Sequence, residues 1–532
     1  MVLSPLLPTC GGRPRKRKPS REAAAPPEPR TWLLLDPLLE RHSHPLRRHS
    51  ECPRRITCIF DAIREAGLAE RCRVVECEAE ASDEALGRVH SAHYLTRLRS
   101  LRRAGPERLC DEAEQYDDVY LNEHSIACAR LAAGGVLRMA DALWAGSMQR
   151  GFALVRPAGH HAGPSGPSGF CLLNNLAVAA RQLLAQGCQR VLIVDWDVHH
   201  GDGTQQAFLD EERVLFFSVH RRGHNIFPFK GRAAAAPTAV GTGRGAGFSV
   251  NVAWEAPGMA DAEYAHAWSR VLLPLIRAWR PEAVLVSAGF DAARGDPLAD
   301  CAVTAAGFGA MTRGLLRECG GRLLLALEGG YSLKQLPQCA LACVRALLGE
   351  PPTAAEAAAA AAADDACDAA REAVAATLQA HAPYWPDLAA HEHASAPPQP
   401  EQPQQQNTPE AMASVAEEAA MAVELPPAAA TRLASPVPVR FADVSALRDF
   451  SDHLPADFRS GYLAWRSGKP RGAKGEPQGT GGGTGGTGTG TGGGTGGGTR
   501  ITDVARSLQA ALLPVLPAPP LQRAASLRVT AR

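Results

Sequence analysis

Between Val191 and Gly203 the chain reads VLIVDWDVHHGDG, an apolar run that ends in Asp195, Asp197, His199, His200 and Asp202. Carboxylate oxygen and imidazole nitrogen together suit a borderline divalent metal such as zinc, which keeps one coordination position open when a site is catalytic. Asp197 and His199 are two candidate ligands. Asp291, at the end of another apolar run, is the acid best placed to be the third. A cation would account for these acids, because buried charges are costly unless an opposite charge answers them. A capping or salt-bridged cluster would instead need Arg or Lys close by, and this stretch has neither. His160 and His161 form a second candidate pair. A lone core histidine is usually structural. Two in succession inside RPAGHHAGP read better as general acid/base groups, oriented by the spare acids Asp195 and Asp202. Tyr331 follows two glycines and could donate its hydroxyl to a developing oxyanion, although a single tyrosine is more often a packing residue.

The elements that must position these groups are apolar runs at Phe152–Pro157, Val191–Trp196, Val214–His220, Phe248–Trp254, Ala283–Gly289 and Leu323–Gly330. The runs are continuous rather than alternating, which suits strands covered on both faces. Helical patterns such as Asn174–Gln186 and Ala262–Trp279 separate several of them. The expected fold is α/β, an open, mostly parallel sheet with helices on both faces, in which ligands bind beyond the carboxyl ends of the strands. Chemistry follows four of the runs at once: His160 and His161; Asp197, His199 and His200; Asp291, Arg294 and Asp296; and Tyr331. One polar residue at a strand end is ordinary loop chemistry. Four such ends imply a shared cleft. A strand period of two further predicts that Asp195, Asp197 and His199 lie on one side. The glycine-rich GTGRGAG (Gly241–Gly247) precedes a strand instead of opening a helix, which argues against a phosphate loop.

Bulk properties narrow the class. A net charge of +1 over 532 residues gives no global hold on nucleic acid, so direct sequence-specific binding is not expected. RPRKRK (Arg13–Lys18) reads equally as a nuclear-import signal or a solvated basic arm. No apolar run approaches the ~18–20 residues of a membrane span, and the first residues make a poor signal peptide. Fourteen cysteines without a C-x-x-C pair suggest buried thiols in a reducing compartment, placing the chain in the cytoplasm, the nucleus or both. Residues 1–30 read as a disordered basic arm and 31–390 as one catalytic domain, closed by an Ala-rich helix over 352–380. Residues 391–532, with their Gly/Thr tract, read as a low-complexity and mostly disordered tail.

RPAGHHA, GFCLLNN, VLIVDWDVHHGDGT, SAGFDAARGDP and LEGGYSL resemble the zinc-dependent histone deacetylases of class II, over roughly residues 31–388. The second catalytic domain of histone deacetylase 6 is the part of that family they most resemble. The resemblance implies an open α/β fold shared with arginase and one catalytic Zn²⁺ held by Asp197, His199 and Asp291. It implies that His160 and His161 are tandem histidines with His161 as principal base and acid, and that Tyr331 polarises the carbonyl. Phe170 and Phe227 would be the walls of an acyl-lysine channel, with Gly169 and Leu298 lining it and Asp118 at a rim position that grips substrate backbone. A structural K⁺ around Asp195, Asp197, His199 and Ser218 is also implied. The implied activity is hydrolysis of N-acetyl-lysine in histone tails or other proteins such as tubulin, with corepressor complexes as partners. Three other readings compete. A non-catalytic corepressor scaffold would be favoured by loss of the tyrosine, which is present. An acetylpolyamine deacetylase would carry an acidic gatekeeper where Leu298 stands. An arginase-like two-metal site would need a second set of bridging ligands, which the sequence does not supply. Asp202 stands where class II members usually have Asn or Gln, and is expected to raise the pKa of His161. The usual HPE motif reads HSE at His49–Glu51.

Overall fold

The computed structural model describes residues 30–223, 226–229, 231–386 and 388. The arm before residue 30 and the tail from 391 lie outside the described residues. Eight strands form one sheet: β1 (Thr31–Leu35), β2 (Arg73–Val75), β3 (Arg150–Leu154), β4 (Val191–Asp195), β5 (Val214–Arg221), β6 (Ser249–Trp254), β7 (Ala283–Ala288) and β8 (Leu323–Leu327). Their order is β2-β1-β3-β8-β7-β4-β5-β6. Every pairing is parallel.

The six apolar runs are β3 to β8, and every residue of β4 to β8 is buried. That two-sided burial is why the runs lack alternation. β1 and β2 were not expected from the sequence; β2 has only three residues, too few to show a pattern. The four strands that carry chemistry are consecutive neighbours, β3-β8-β7-β4. The chain leaves β3, skips two positions to lay down β4, and fills the gap later with β7 and β8. Such a reversal opens a crevice at the carboxyl edge.

Two helical expectations change. Ala262–Trp279 is one helical stretch in three pieces, with a π-helical turn at Trp268–Leu272 just before Pro274. Proline has no N–H to donate, and the wider turn accommodates the lost bond. The Ala-rich segment is not one helix but two, Ala354–Ala361 and Asp368–His381, joined by a 3₁₀ turn. Tertiary bonds at the break override alanine's helix preference. The Cys367 amide donates to Glu263 Oε1 at 3.1 Å, and His266 Nδ1 lies 3.0 Å from the Ala363 carbonyl.

Candidate active site

Asp195 is the last residue of β4, and Asp197 and His199 lie in the turn beyond it. Strand alternation therefore does not place this trio, as the period of two predicted. Backbone amides do. The Asp197 amide donates to Asp195 Oδ1 at 3.1 Å, Val198 to Asp291 Oδ1 at 2.8 Å, and Gly329 to Asp197 Oδ2 at 2.7 Å. One turn is thus tied to the ends of β7 and β8. Gly329 is required by this approach, since a Cβ there would sit 2.0 Å from Asp291 Oδ2.

The predicted ligand set comes together. Atoms of Asp197, His199 and Asp291, all buried, lie within 4.8 Å of one another. His199 Nδ1 is 3.1 Å from a carboxylate oxygen of each acid. Burial opposes a charge on this ring, yet the bonds to Asp197 and Asp291 raise its pKa to about 10. Burial, and then the charge of Asp197, raise the pKa of Asp291. Two carboxylates so enclosed demand positive charge, and the donor set is one that zinc accepts. The residues fit the ion.

The tandem histidines differ sharply. His160 Nδ1 is 3.0 Å from Asp195 Oδ2, and its Nε2 is 3.8 Å from Asp197. Burial works against its charge, but Asp197 and Asp195 outweigh burial and raise its pKa. His161 Nδ1 is 2.8 Å from Asp202 Oδ1. Asp202 pulls the His161 pKa upward, as expected, but burial and then the charge of His160 outweigh it and lower the pKa to about 4. The neutral imidazole is the favoured form of His161.

The walls meet the chemistry from two sides. The Phe227 ring is 4.7 Å from His161 and 6.4 Å from His199, and Phe170 is 6.0 Å from Tyr331. Gly169 and Phe170 both adopt positive φ, 50° and 64°. Their amides donate to the carbonyls of Asp117 and Asp118 at 3.0 and 2.7 Å, so Asp118 braces Phe170. A Cβ at Gly169 would meet His161 and Phe227 at 2.6 Å. Leu298 is partly exposed, and its amide donates to Asp296 Oδ1 at 3.0 Å. Ser218 pairs in register with Asp195, but its hydroxyl engages His220 Nδ1 at 2.8 Å. Burial keeps the Tyr331 hydroxyl well above its usual pKa, hence a donor at neutral pH.

Sequence reading missed several supporting groups. Glu328 Oε2 accepts the amides of Gly159 and His160 at 2.7 and 3.1 Å, fixing the histidine loop from β8. With His160 and Cys171 it forms a second buried group of ligand-type atoms. Arg55 donates to the carbonyls of Gly330 (2.7 Å) and Glu328, and its guanidinium lies 5.0 Å from the Tyr331 ring centroid. Glu51 binds both Arg55 and Arg156. The visible signals were an acid inside the apolar run LLLALEGG and Glu51 in the HSE motif.

A histone deacetylase domain model matches residues 49–347. The mouse protein named polyamine deacetylase HDAC10 is 42% identical over 340 residues, 64% of this chain and 50% of that one. Histone deacetylase 18 of Arabidopsis thaliana is 39% identical over 363 residues, 67% of this chain and 52% of that one. A crystal structure of the HDA15 HD domain superposes with a TM-score of 0.61 at 38% identity, covering 68% of this chain and 97% of that one. The chain spans about half the length of the curated relatives it matches. These matches agree with the class read from the motifs; they do not establish a particular likeness to histone deacetylase 6. Among the described residues, no helix is long and apolar enough to cross a membrane.

Proposed function

Because the chain belongs to the histone deacetylase family, we propose that it is a zinc-dependent hydrolase of N-acetyl-lysine in protein substrates. The observation that carries this reading is the convergence of Asp197, His199 and Asp291 beside a neutral His161. Asp197, His199 and Asp291 would hold a zinc ion, which would supply Lewis acidity and lower the pKa of a water towards ~7. His161 turns Nδ1 to Asp202, leaving Nε2 to take a proton from the attacking water and return it to the departing lysine amine. Charged His160 adds positive potential beside it. Tyr331 donates its hydroxyl to the oxyanion that develops on the acyl oxygen. Phe170 and Phe227 exclude water from an uncharged acyl-lysine stem. A structural potassium ion near Asp195 and Ser218, and residence in cytoplasm and nucleus, belong to the same proposal.

Histone tails, tubulin and corepressor partners remain within the proposed range. A second reading has its own support, the 42% identity to a polyamine deacetylase. Leu298 favours the protein substrate, since an apolar side chain at the mouth offers a polyamine cation no counter-charge. Parallel assays on acetylated histone peptide, acetylated tubulin and an acetylated polyamine test the choice. Greater kcat/KM on the proteins is expected; turnover of the polyamine alone would overturn the assignment.

A further inference from the structure

Tyr331 emerges from a backbone that cannot hold itself in place. Gly329 and Gly330 precede it, and Gly330 has a φ of 107°. No Cβ packs on either residue, so beyond the Gly329–Asp197 bond and the ring contacts with Phe170 and Arg55, the tyrosine is positioned by bonds to its main chain. Two charged groups make them. Arg55, a donor, takes the carbonyls of Glu328 and Gly330. Asp296, an acceptor, takes the amides: Tyr331 and Ser332 donate to its Oδ2 at 2.7 and 3.1 Å. Its other oxygen, Oδ1, accepts the Leu298 amide at 3.0 Å. Asp296 is itself only 8% exposed and is anchored by its own amide to the Ala293 carbonyl at 3.0 Å. One carboxylate therefore links the loop after β7, which carries Leu298, to the loop after β8, which carries the tyrosine.

We infer that Asp296 is a positioning residue for catalysis, setting where the Tyr331 hydroxyl stands relative to the Leu298 side of the mouth. The inference rests on the proposed role of Tyr331. Asp296 acts through the Tyr331 and Ser332 amides. Burial, and next the charge of Asp291, push its carboxyl up to about 7, while the three amides pull the other way. Hydrogen bonds from three backbone amides to one carboxylate are stronger and more directional than those to a neutral acceptor. Replacing it by an amide gives at least one of those donors an N–H to face instead of an acceptor. A donor displaced by a fraction of an ångström still permits binding but loses its grip on the transition state.

The test is a double-mutant cycle of Asp296→Asn and Tyr331→Phe, with kcat and KM measured on an acetyl-lysine peptide and normalised to bound zinc. Asp296→Asn should lower kcat by about 10- to 100-fold with KM nearly unchanged. In the Tyr331→Phe background the same change should have almost no further effect, because the hydroxyl it positions is gone. Multiplicative losses would overturn the inference while leaving the role of Tyr331 intact. Parent-like kcat in Tyr331→Phe would overturn both. Should Asp296→Asn fail to fold, Asp296→Glu replaces it in the cycle, keeping the charge but displacing the acceptor by one methylene, with the same loss and the same non-additivity expected.

Discussion

Two buried charge clusters lie close to the same sheet edge, and they are balanced differently. Behind the tyrosine, Glu51 is bound by Arg156 at 2.5 Å through both Nε and Nη2, by Arg55 at 3.1 Å and by the Tyr120 hydroxyl. Burial alone would raise the Glu51 pKa, but Arg156 and then Arg55 bring it below the usual carboxylate range. In front, Asp195, Asp197 and Asp291 have His160 and His199 as their ion-pair partners among the described residues. The rear cluster sets two guanidiniums against one carboxylate and so needs no further cation. The front cluster gathers acids that only imidazoles answer. A buried cluster whose acid is already answered by guanidiniums is architecture; one left short of positive charge is a place for a cation.

The largest expected effect breaks the front cluster. Asp291→Ala should abolish zinc retention and turnover together, because two remaining protein ligands hold zinc poorly; metal analysis beside a peptide assay checks this. Glu51→Ala attacks the rear cluster and should act on folding, costing about 3–5 kcal/mol by leaving two guanidiniums buried and unpaired. Denaturant unfolding measures it. If Glu51→Ala spared stability but removed zinc, the division between the clusters would fail. Tyr331→Phe should lower kcat by about 10²–10³-fold with KM and zinc content held, since the donor acts mainly in the transition state.

A smaller effect concerns pH. His90 Nδ1 lies 3.1 Å from the Gly163 carbonyl, while its Nε2 accepts the Asn174 amide at 3.0 Å, so the neutral ring is the form that satisfies both. Burial lowers its pKa to about 4, from an ordinary 6.5. The unfolded chain then binds a proton between pH 6.5 and 4 that the folded chain refuses, and stability falls as pH falls through that window. His90→Gln should flatten the slope of melting temperature against pH there. The smallest effect is expected from the tail: truncation near Ala394 should leave kcat unchanged in the peptide assay.

Much of this site was legible because its determinants are local. Strands buried on both faces announce themselves as unbroken apolar runs, and the ligands follow them within a few residues. What escaped depends on contacts far apart in the chain. Glu51 meets Arg156, and Arg55 meets Gly330, across more than a hundred and two hundred residues respectively. Asp296 stood in plain view after Asp291, but nothing in its spacing says that it will accept the amide of Tyr331. Asp202 pulls the pKa of His161 upward, as its place in the sequence suggests, but burial and the charge of His160, which outweigh it, were not visible there. The Ala-rich helix was misread because its break is set by Glu263 and His266 from another helix.

Zinc content and turnover, measured on the same preparation of the parent chain through chelation and zinc add-back, test the central claim most directly. About one zinc per chain is expected, with acetyl-lysine hydrolysis lost on chelation and restored by zinc. Undiminished hydrolysis by a zinc-free chain would contradict it.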